Sequence, residues 1–587
     1  MNFFKYIKKI TELSSTIEFN EKSSLNCHSP HLFSSQRMSG IQITRTHNDG
    51  FNPVVLKFDV AKKYLLIPIE EEAPERPFTV INSKYRRTFL IRLAVKKVEY
   101  NVPLELEEAG TVVEIYKAPA ETAIGWSKLE LADSYDTTNT DYYRPNYHFT
   151  PPFGWMNDPN GLFYLDGVYH LYYQHNPFAS TWGNMSWGHA TTKDFVHYEH
   201  HPIVLFPDEL GHIFSGSIVI DKDNTAGFGA NAVIAFYTNA GGDDYQIQTN
   251  SIAYSTDGGY TFTKYENNPV VTFDCRDFRD PTVIRYNDQW NLFIATGQCI
   301  RIYSSLNLKE WKYESTFGRG IGCHDGVWEC PAVLKVDGKW VILLNINPGG
   351  PFGGSATQYF VGEFDGHQFI CESDPWNTKW MDYGRDAYAT VCFHNAPVNT
   401  AIAWMSNWDY AKIAPTHQFR SAFSIPRIFK LVECPCSHEH YLYSYPLPSF
   451  EEKFVNKVDE LTTACLATVD LSKVTAKQVR IILKNQQEEV TLVVNREVEG
   501  GRFEFERGLK SGLHTFSDAF CCLTHCPYQI SDHYQLKLFV DKHSVEVFDG
   551  AGSFTMTTTV FPRSPYTTIV VEPIDGECSS TVTIKSL

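Results

Sequence analysis

Three acidic residues that lie far apart in the chain share similar sequence surroundings. Each one stands just before a run of hydrophobic residues, and a polar turn that contains an aspartate follows that run. The spacing is eight residues in every case, from Asp158 to Asp166, from Asp280 to Asp288 and from Glu329 to Asp337. If the acids meet in space, one ionised carboxylate can attack while a protonated neighbour donates its proton, which is the chemistry of glycosidases.

The hydrophobic runs after these acids belong to a longer repeat. GLFYLDGVYHLYYQ, PTVIRYNDQWNLFIA and PAVLKVDGKWVILLN each read as a strand, a polar turn and a second strand that carries an aromatic residue. SGSIVIDKDNTAGFGANAVIAFYT and DAYATVCFHNAPVNTAIAWMSNW bring the series to five units. Repeated units of short strands are typical of a β-propeller, here with five blades.

The repeat also explains how the acids can converge. The first strand of each blade lies next to the central channel, so residues that precede equivalent first strands reach one mouth of that channel. Blade five supplies Asp386 near the same register, and blade two supplies Phe214 and Ser215. The alternative is that each acid only caps a turn, as Asx motifs do. We favour chemistry, because like charges crowded in one funnel repel one another and a mere scaffold gains nothing from that repulsion.

Composition limits the classes of function. A chain of 587 residues is expected to hold several domains, and 43% hydrophobic with 20% charged residues is typical of globular proteins. The net charge of −17 disfavours nucleic acid and anionic membranes as partners, and no apolar run has the length of a membrane span. The aromatic content of 14% suits both β-rich cores and the recognition of sugar rings.

No sequence pattern indicates a cofactor or a metal. The chain contains no glycine-rich phosphate loop and no nucleotide fingerprint, and its cysteines do not complete a zinc-binding set. His197, His200 and His201, in and beside YEHHPI, are interpreted as surface or turn residues. We therefore expect neither a cofactor nor a metal site.

The whole chain is predicted to be all-β, with a domain on each side of the propeller. Residues 1–37 are expected to be disordered or to precede the true start, and residues 38–140 to form a β-sandwich-like N-terminal domain. Residues 141–432 are assigned to the five-bladed β-propeller. Residues 445–587 are assigned to a C-terminal β-sandwich, on the basis of strands such as QVRIILK, EVTLVVN and HSVEVFD.

Four motifs in this order, WMNDPNG, FSGS, RDP and the Glu329-Cys330 pair, resemble glycoside hydrolase family 32, which contains invertases, inulinases and levanases. The resemblance covers about residues 148–587 and includes WGNMSWGHATTKDFVHY and FVDKHSVEVFDG. It implies a propeller joined to a C-terminal β-sandwich, and hydrolysis of terminal β-D-fructofuranosides with retention of configuration. Residues 38–140 lie outside this core and resemble an N-terminal β module of some gut-bacterial fructosidases.

The resemblance also implies roles for individual residues. Asp158 is the expected nucleophile, and Glu329 is the expected general acid and base. Asp280 and Arg279 are expected to hold fructose and stabilise the transition state. The remaining residues of the fructose subsite are expected to be Asn157, Gln174, Trp182, Phe214, Ser215, Tyr388 and Trp408. Glu329 must carry a proton when substrate binds, and we expect the negative charges of Asp158 and Asp280 to keep that proton in place.

Several alternatives stay open at this point. A propeller also suits an inverting arabinanase or xylosidase, a carbohydrate-binding protein without catalysis, or a fructosyltransferase. The chain departs from the family pattern at Tyr388-Ala389-Thr390 and at FRSAF, which leaves the leaving-group preference open among sucrose, inulin and levan. We expect exo rather than endo action, because a funnel closed on one side receives a chain end.

The cysteines and the N-terminus predict a location. The 14 cysteines form no repeating framework, which indicates free thiols and a reducing compartment. MNFFKYIKKITELSSTIEF lacks the continuous apolar core of a signal peptide. We therefore expect the cytoplasm, with the periplasm or secretion as the alternative. The sequence does not indicate an oligomeric state.

Overall fold

The computed structural model describes residues 34–45, 52–59, 61–106, 110–508, 510–512, 516–527 and 530–587. Nearly all regular structure within these ranges is β-strand, as the sequence predicts. Residues 1–33, which fall in the segment expected to be disordered, lie outside the described residues. The first strand begins at Ser34, so residues 34–37 belong to the N-terminal domain. None of the described helices is long and apolar enough to cross a membrane.

The N-terminal domain consists of two antiparallel sheets. Its strands are β1 (Ser34–Met38), β2 (Ile41–Arg45), β3 (Val54–Phe58), β4 (Tyr64–Ile69), β5 (Arg76–Ile81), β6 (Arg86–Ile91), β7 (Tyr100–Glu105), β8 (Val112–Ile115) and β9 (Glu130–Ala132). The sheet orders are β1-β2-β3-β8-β5-β6 and β7-β4-β9, and the short helix α1 (Ile124–Lys128) precedes β9. Buried residues alternate with partly or fully exposed ones along β2, β3 and β7, which gives each sheet an apolar face.

Five antiparallel sheets then form the propeller blades, and the strands follow in chain order. Blade one contains β10 (Gly154–Leu165), β11 (Val168–Asn176), β12 (Ser186–Thr192) and β13 (Tyr198–Leu205). Blade two contains β14 (His212–Asp221), β15 (Ala232–Gly241), β16 (Ile247–Ser255), β17 (Thr263–Lys264) and β18 (Val271–Thr272). Blade three contains β19 (Phe278–Tyr286), β20 (Gln289–Thr296), β21 (Ile300–Ser305) and β22 (Lys312–Phe317). Blade four contains β23 (Val327–Val336), β24 (Lys339–Asn347), β25 (Ala356–Phe364) and β26 (Phe369–Cys371).

Blade five closes the ring. It contains β27 (Tyr388–Cys392), β28 (Thr400–Met405), β30 (Ala422–Phe423), β31 (Arg427–Glu433) and β32 (His440–Pro446), while the preceding β29 (Phe419–Arg420) pairs with β10 of blade one. Each first strand contacts the first strand of the next blade, and β27 contacts β10. The five first strands therefore surround one central channel.

Two details of the propeller differ from the sequence prediction. β32 pairs with β31 along its whole length, so the propeller extends to Pro446 and not to residue 432. The sequence prediction left residues 433–444 unassigned and placed YPLP in the C-terminal domain, although blade five needs this strand as its outer edge. His200 and His201 lie within β13 and their rings contact Phe149 and His189, whereas the His197 side chain is exposed as expected.

The C-terminal domain is a sandwich of two antiparallel sheets that follows the short helix α2 (Pro448–Glu451). Its strands are β33 (Asn456–Val458), β34 (Ala464–Ser472), β35 (Gln478–Lys484), β36 (Glu489–Asn495), β37 (Arg502–Arg507), β38 (Cys522–Pro527), β39 (His533–Asp541), β40 (Ser544–Asp549), β41 (Thr555–Thr559), β42 (Thr568–Ile574) and β43 (Ser579–Ser586). The sheet orders are β33-β43-β34-β39-β40-β41 and β38-β37-β36-β35-β42. Three 3-10 turns complete the regular structure of the described residues: Asp243–Tyr245, Ala411–Ile413 and Asp518–Phe520.

Buried charges join the propeller to the sandwich. The Arg507 guanidinium of the sandwich donates to Asp386 Oδ2 of the propeller at 2.6 Å, and both side chains are fully buried. Tyr410 donates its hydroxyl proton to the other oxygen of Asp386, and the Thr559 amide donates to Oδ2 at 2.9 Å. Asp386, which the register places near the three acids, therefore serves the domain interface and does not reach the channel.

We expect Asp386→Ala to lower the free energy of unfolding by about 3–5 kcal/mol, because it leaves the buried Arg507 charge without its partner. Urea unfolding followed by tryptophan fluorescence measures this change. The control is Asp575→Asn, which breaks an exposed pair with Lys477 (3.3 Å), tolerates the left-handed backbone at this position (φ 51°) and should cost at most about 1 kcal/mol. Equal midpoints for the two variants would contradict the assignment.

Candidate active site

A β-bulge interrupts the first strand of every propeller blade near its beginning. The register with the second strand breaks between Met156 and Pro159, Phe214 and Gly216, Arg279 and Thr282, Glu329 and Ala332, and Tyr388 and Val391. A bulge takes residues out of the hydrogen-bond ladder and changes the direction of the neighbouring side chains. Because the five strands form a ring, the bulges lie around one end of the channel and direct side chains toward it.

The three acids occupy neighbouring positions in these bulges. Asp158 lies within the bulge of β10, Asp280 begins the bulge of β19, and Glu329 directly precedes the bulge of β23. Asp280 and Cys330, which begin equivalent bulges, have left-handed backbones with φ of 64° and 44°. Residues other than glycine rarely adopt this conformation, so the chain turns sharply where the acids project.

The turn after β19 shows that the register expected from the sequence is wrong by one residue in blade three. Its first residue is Asn287 (φ 51°), which corresponds to Asp166 (φ 50°) and Asp337 (φ 45°) in the other two turns. Counted from Asn287, a spacing of eight leads to Arg279 and not to Asp280. The repeat thus delivers an arginine and the adjacent aspartate from blade three.

Asp158 is held by hydrogen bonds on both carboxylate oxygens. Ser215 Oγ donates to Oδ2 at 2.6 Å, and Asn157 Nδ2 donates to Oδ1 at 3.0 Å. Trp155 Nε1 donates to Asn157 Oδ1 at 2.7 Å and so fixes the orientation of that amide. Burial raises the pKa of Asp158, while the hydrogen bonds from Ser215 and Asn157 favour its ionised form. The carboxylate is thereby oriented before substrate arrives.

Asp280 is more buried than Asp158, and it contacts Cys330. The Cys330 amide donates to Asp280 Oδ2 at 2.9 Å, and the Cys330 thiol lies 3.4 Å from that oxygen and 3.5 Å from Asp158 Oδ2. Burial raises the pKa of Asp280 to about 7, and the charges of Glu329 and Asp158 add to this effect against the opposing charge of Arg279. Burial also raises the pKa of Cys330 well above its usual range, so its thiol stays a donor between two acids.

Glu329 is oriented by an arginine and a tyrosine. Arg279 donates to Glu329 Oε1 from Nε at 3.2 Å and from Nη2 at 3.0 Å, and Tyr388 donates its hydroxyl proton to Oε2. Arg279 is itself fixed by Asp277 Oδ1 at 2.7 Å and Gln248 Oε1 at 3.2 Å. The general acid expected from the sequence is therefore placed by residues of blades two, three and five.

The acids open onto one cavity of about 310 Å³ at the end of the channel, which we call the pocket. Ten of the eleven site residues expected from the sequence line it: Asn157, Asp158, Gln174, Trp182, Phe214, Ser215, Arg279, Asp280, Glu329 and Trp408. The eleventh, Tyr388, reaches the site through its bond to Glu329. Gln174 donates to the Ile213 carbonyl at 3.0 Å, and the ring of Trp408 stacks on Trp155 at 5.8 Å.

Sequence reasoning missed the residues at the rim of the pocket. They are Asp244, Tyr245, Gln248, Arg276, Asp277, Asn347 and Lys412. Most of them lie in loops between strands, where the repeat gives no register. One signal was present, since CRDFRD places a second Arg-Asp pair three residues before Arg279. Arg276 of that pair binds Asp244 Oδ2 at 2.6 Å across the rim.

Comparisons with known proteins identify the family of the chain. Residues 148–446 match the glycosyl hydrolases family 32 N-terminal domain, and residues 448–587 match the family 32 C-terminal domain. The extracellular exo-inulinase inuE of Aspergillus ficuum is 38% identical over 489 residues, which cover 72% of this chain and 90% of that protein. The chain belongs to glycoside hydrolase family 32. A levanase of Bacillus subtilis (strain 168) is 48% identical over 324 residues, 52% of this chain, although the match spans only 47% of that levanase.

Solved structures of family 32 share the fold. The crystal structure of an exo-inulinase from Aspergillus awamori has a TM-score of 0.70 and 33% identity, covering 76% of this chain and 99% of that chain. A β-fructofuranosidase from Schwanniomyces occidentalis complexed with fructosyl-erythritol has a TM-score of 0.68 and 33% identity, covering 76% and 98%. This family 32 member is a glycosidase built on a five-bladed propeller and a β-sandwich. Residues 50–147 match a domain of unknown function, DUF4980.

The charges of Asp158 and Glu329 affect the pH at which Asp280 loses its proton. We expect the protonated carboxyl of Asp280 to lose its proton near pH 7, and Asp158→Asn to lower this pKa because one of the charges that raise it is removed. Infrared difference spectra recorded against pH measure the midpoint, and Asp280→Asn identifies the band. Asp166→Asn, at the turn beyond the acid, is the control and should not move it. A midpoint near pH 4, or one that Asp158→Asn leaves unmoved, would contradict the assigned coupling.

Proposed function

We propose that this glycosidase releases fructose from the ends of β-D-fructofuranosides by a double displacement. The observation that carries the proposal is that Asp158 of blade one and Glu329 of blade four line the same pocket. Asp158 is buried and held by two donors, whereas Glu329 is more exposed, with a fifth of its side chain accessible. A retaining glycosidase uses one carboxylate that attacks the sugar and a second carboxyl group that serves the leaving group and then water.

In the first step, an Asp158 oxygen forms a bond to the anomeric carbon of fructose. The bond from that carbon to the leaving-group oxygen breaks, and Glu329 gives its proton to that oxygen. In the second step, Glu329 takes a proton from water, the water oxygen attacks the anomeric carbon, and Asp158 leaves as a carboxylate. Protonation by a positioned acid contributes about 10²–10⁴-fold to such reactions.

The other polar residues of the pocket are assigned to binding fructose. Asn157, Gln174 and Asp280 supply amide and carboxyl groups that can pair with sugar hydroxyls. Arg279 contacts Glu329 and lies 3.9 Å from Asp280, so its charge offsets the negative charge that the three acids bring together. Trp182, Phe214 and Trp408 supply apolar faces for the ring.

We propose exo action on fructans or sucrose as the substrate class. The pocket lies at one end of a channel that the blades fill, which suits a chain end better than the middle of a polymer. The names of the relatives include levanase, exo-inulinase and invertase, and these names support this range without selecting one member of it. Chromatography of products from inulin and levan should show fructose alone, whereas oligosaccharides would indicate endo action.

The cytoplasmic location stays a prediction. The cysteines within the described residues are free thiols, which fits a reducing compartment. We propose that location on this basis, with the periplasm as the alternative. Fractionation of the native cells with an antibody to the chain distinguishes the two.

The catalytic assignment predicts that Asp158→Asn and Glu329→Gln each lower kcat for sucrose by at least about a hundredfold. Their thermal unfolding midpoints should stay close to that of the unmodified protein, because each change keeps the shape of the side chain. Glu363→Gln, which alters an exposed pair with Lys339, is the matched control and should keep full activity. Activity within tenfold of normal in either active-site variant would refute the assignment.

The stereochemical course predicts a second outcome. With methanol as the acceptor, double displacement should yield methyl β-D-fructofuranoside, which proton NMR identifies in the first minutes of reaction. The α-anomer would exclude the proposed nucleophilic role of Asp158. Long fructan products at high sucrose would show fructosyl transfer in place of hydrolysis.

A further inference from the structure

Two loops of the propeller carry the tryptophans that wall the pocket. The first loop, residues 177–185 between β11 and β12, carries Trp182, and the second loop, residues 406–418 between β28 and β29, carries Trp408. The catalytic acids, in contrast, lie on blade strands. A shift of either loop therefore moves the wall of the pocket without moving the acids.

The N-terminal domain holds the first loop on both sides of Trp182. Four residues before it, Phe178 is buried in the core of the N-terminal domain, with its ring 4.8 Å from that of Phe89. Two residues after it, the Asn184 side chain pairs with the backbone of Leu90. The Leu90 amide donates to Asn184 Oδ1, and Asn184 Nδ2 donates to the Leu90 carbonyl, both at 2.8 Å. Leu90 lies on β6, the edge strand of its sheet. The Asn184 side chain therefore pairs with backbone groups that have no neighbouring strand to bind.

One carboxylate of the N-terminal domain contacts both loops. Glu71 Oε1 accepts the hydroxyl proton of Ser180 in the first loop, and Glu71 Oε2 lies 3.5 Å from His417 Nδ1 in the second loop. Glu71 is fixed in turn, because its amide donates to Glu99 Oε2 at 2.6 Å and Arg92 donates to its carbonyl. Only 15% of the Glu71 side chain is exposed, which limits its freedom to move away.

Both tryptophans face the pocket, and Trp182 packs against other residues that line it. The ring of Trp182 lies 5.3 Å from that of Tyr245 and 6.0 Å from that of Phe214, and all three residues line the pocket. Loops of this kind lose conformational entropy when they order around a ligand, and a support that orders them beforehand removes that cost from binding.

We propose that the N-terminal domain is a positioning element of the active site, in which Glu71 joins the two loops and thereby fixes Trp182 and Trp408 against the sugar. This inference rests on the proposed fructosidase function. It gives the domain of unknown function a role in substrate binding. Glu71, Ser180 and Asn184 are positioning residues, because they act through the tryptophans and touch no reacting atom.

The proposal predicts a change in KM and not in kcat. Walls that contact the sugar equally in the ground state and the transition state contribute uniform binding, and loss of uniform binding raises KM alone. We expect Glu71→Ala to raise KM for sucrose about three- to tenfold, the scale of one or two lost hydrogen bonds, with kcat within about twofold. Glu71→Gln should recover part of the loss, because its amide oxygen still accepts the Ser180 proton.

Two further variants separate positioning from stability. Asn184→Gly keeps the left-handed backbone at this position (φ 47°) and removes the paired amide, so it should raise KM in the same way. Glu114→Ala removes an N-terminal ion pair with Arg86 (2.9 Å) that involves no propeller residue, and it should leave KM unchanged. A lower melting temperature with normal KM in both Glu71→Ala and Asn184→Gly would show a purely structural role and overturn the proposal.

A double-mutant cycle tests the route through Trp182. If Glu71 acts by placing that ring, Glu71→Ala should change KM less in a Trp182→Ala background than in the unmodified protein. Fully additive effects would overturn the proposal. Failure of the function itself is recognised separately, since an unmodified protein that releases no fructose from sucrose, inulin or levan refutes the fructosidase assignment without reference to Glu71.

Discussion

The site depends on holding three carboxyl groups close together away from water. The charge of Glu329 raises the energy of ionising Asp158 and Asp280, and burial adds to that cost for both. Hydrogen-bond donors from different blades offset this cost, among them Ser215, the Cys330 thiol and Arg279. The two acids therefore differ in protonation. Hydrogen-bond donors favour the ionised form of Asp158, whereas Asp280 keeps its proton up to about pH 7.

This arrangement requires a scaffold that holds the three carboxyl groups in place against their mutual repulsion. The five first strands contact one another in a ring, and the bulge in each strand provides the local change of direction that a regular strand lacks. The sandwich stiffens the ring from one side through buried pairs. Arg427 binds Asp382, in the segment before the first strand of blade five, and Glu546 of the sandwich, each at 2.9 Å, and all three side chains are buried. Breaking such a pair is costly, so the blades stay in register.

Much of this architecture could be predicted from the sequence, because a repeat exposes its own register. The acids, the five blades and the two flanking β domains follow from short strand patterns that recur along the chain. The bulges could not be predicted, since they depend on how two strands pair, and the shift of one residue at Asn287 follows from that pairing. Asp386 was misplaced for a related reason, because its partner Arg507 lies 121 residues away in another domain.

Apart from the Arg276-Asp277 pair, the rim and its support could not be predicted from the sequence. Asp244 and Tyr245 belong to a loop without a repeat, and Glu71 meets Ser180 only after the N-terminal domain has packed on blade one. Cys330 shows an intermediate case. The residue is part of the sequence motif, but its contact with both Asp158 and Asp280 depends on a left-handed backbone that the sequence does not predict.

In the proposed mechanism, bulges of separate blades bring Asp158 and Glu329 onto one sugar, and Asp158 forms the covalent bond. The most direct test is to quench the protein with acid during turnover of sucrose and to map the peptides by mass spectrometry. We expect a peptide containing Asp158 to gain the mass of one fructosyl group. Glu329→Gln slows the water step, so this variant should retain the adduct on Asp158 when a good leaving group replaces glucose. An adduct on another residue, or none under conditions where fructose is released, would contradict the mechanism.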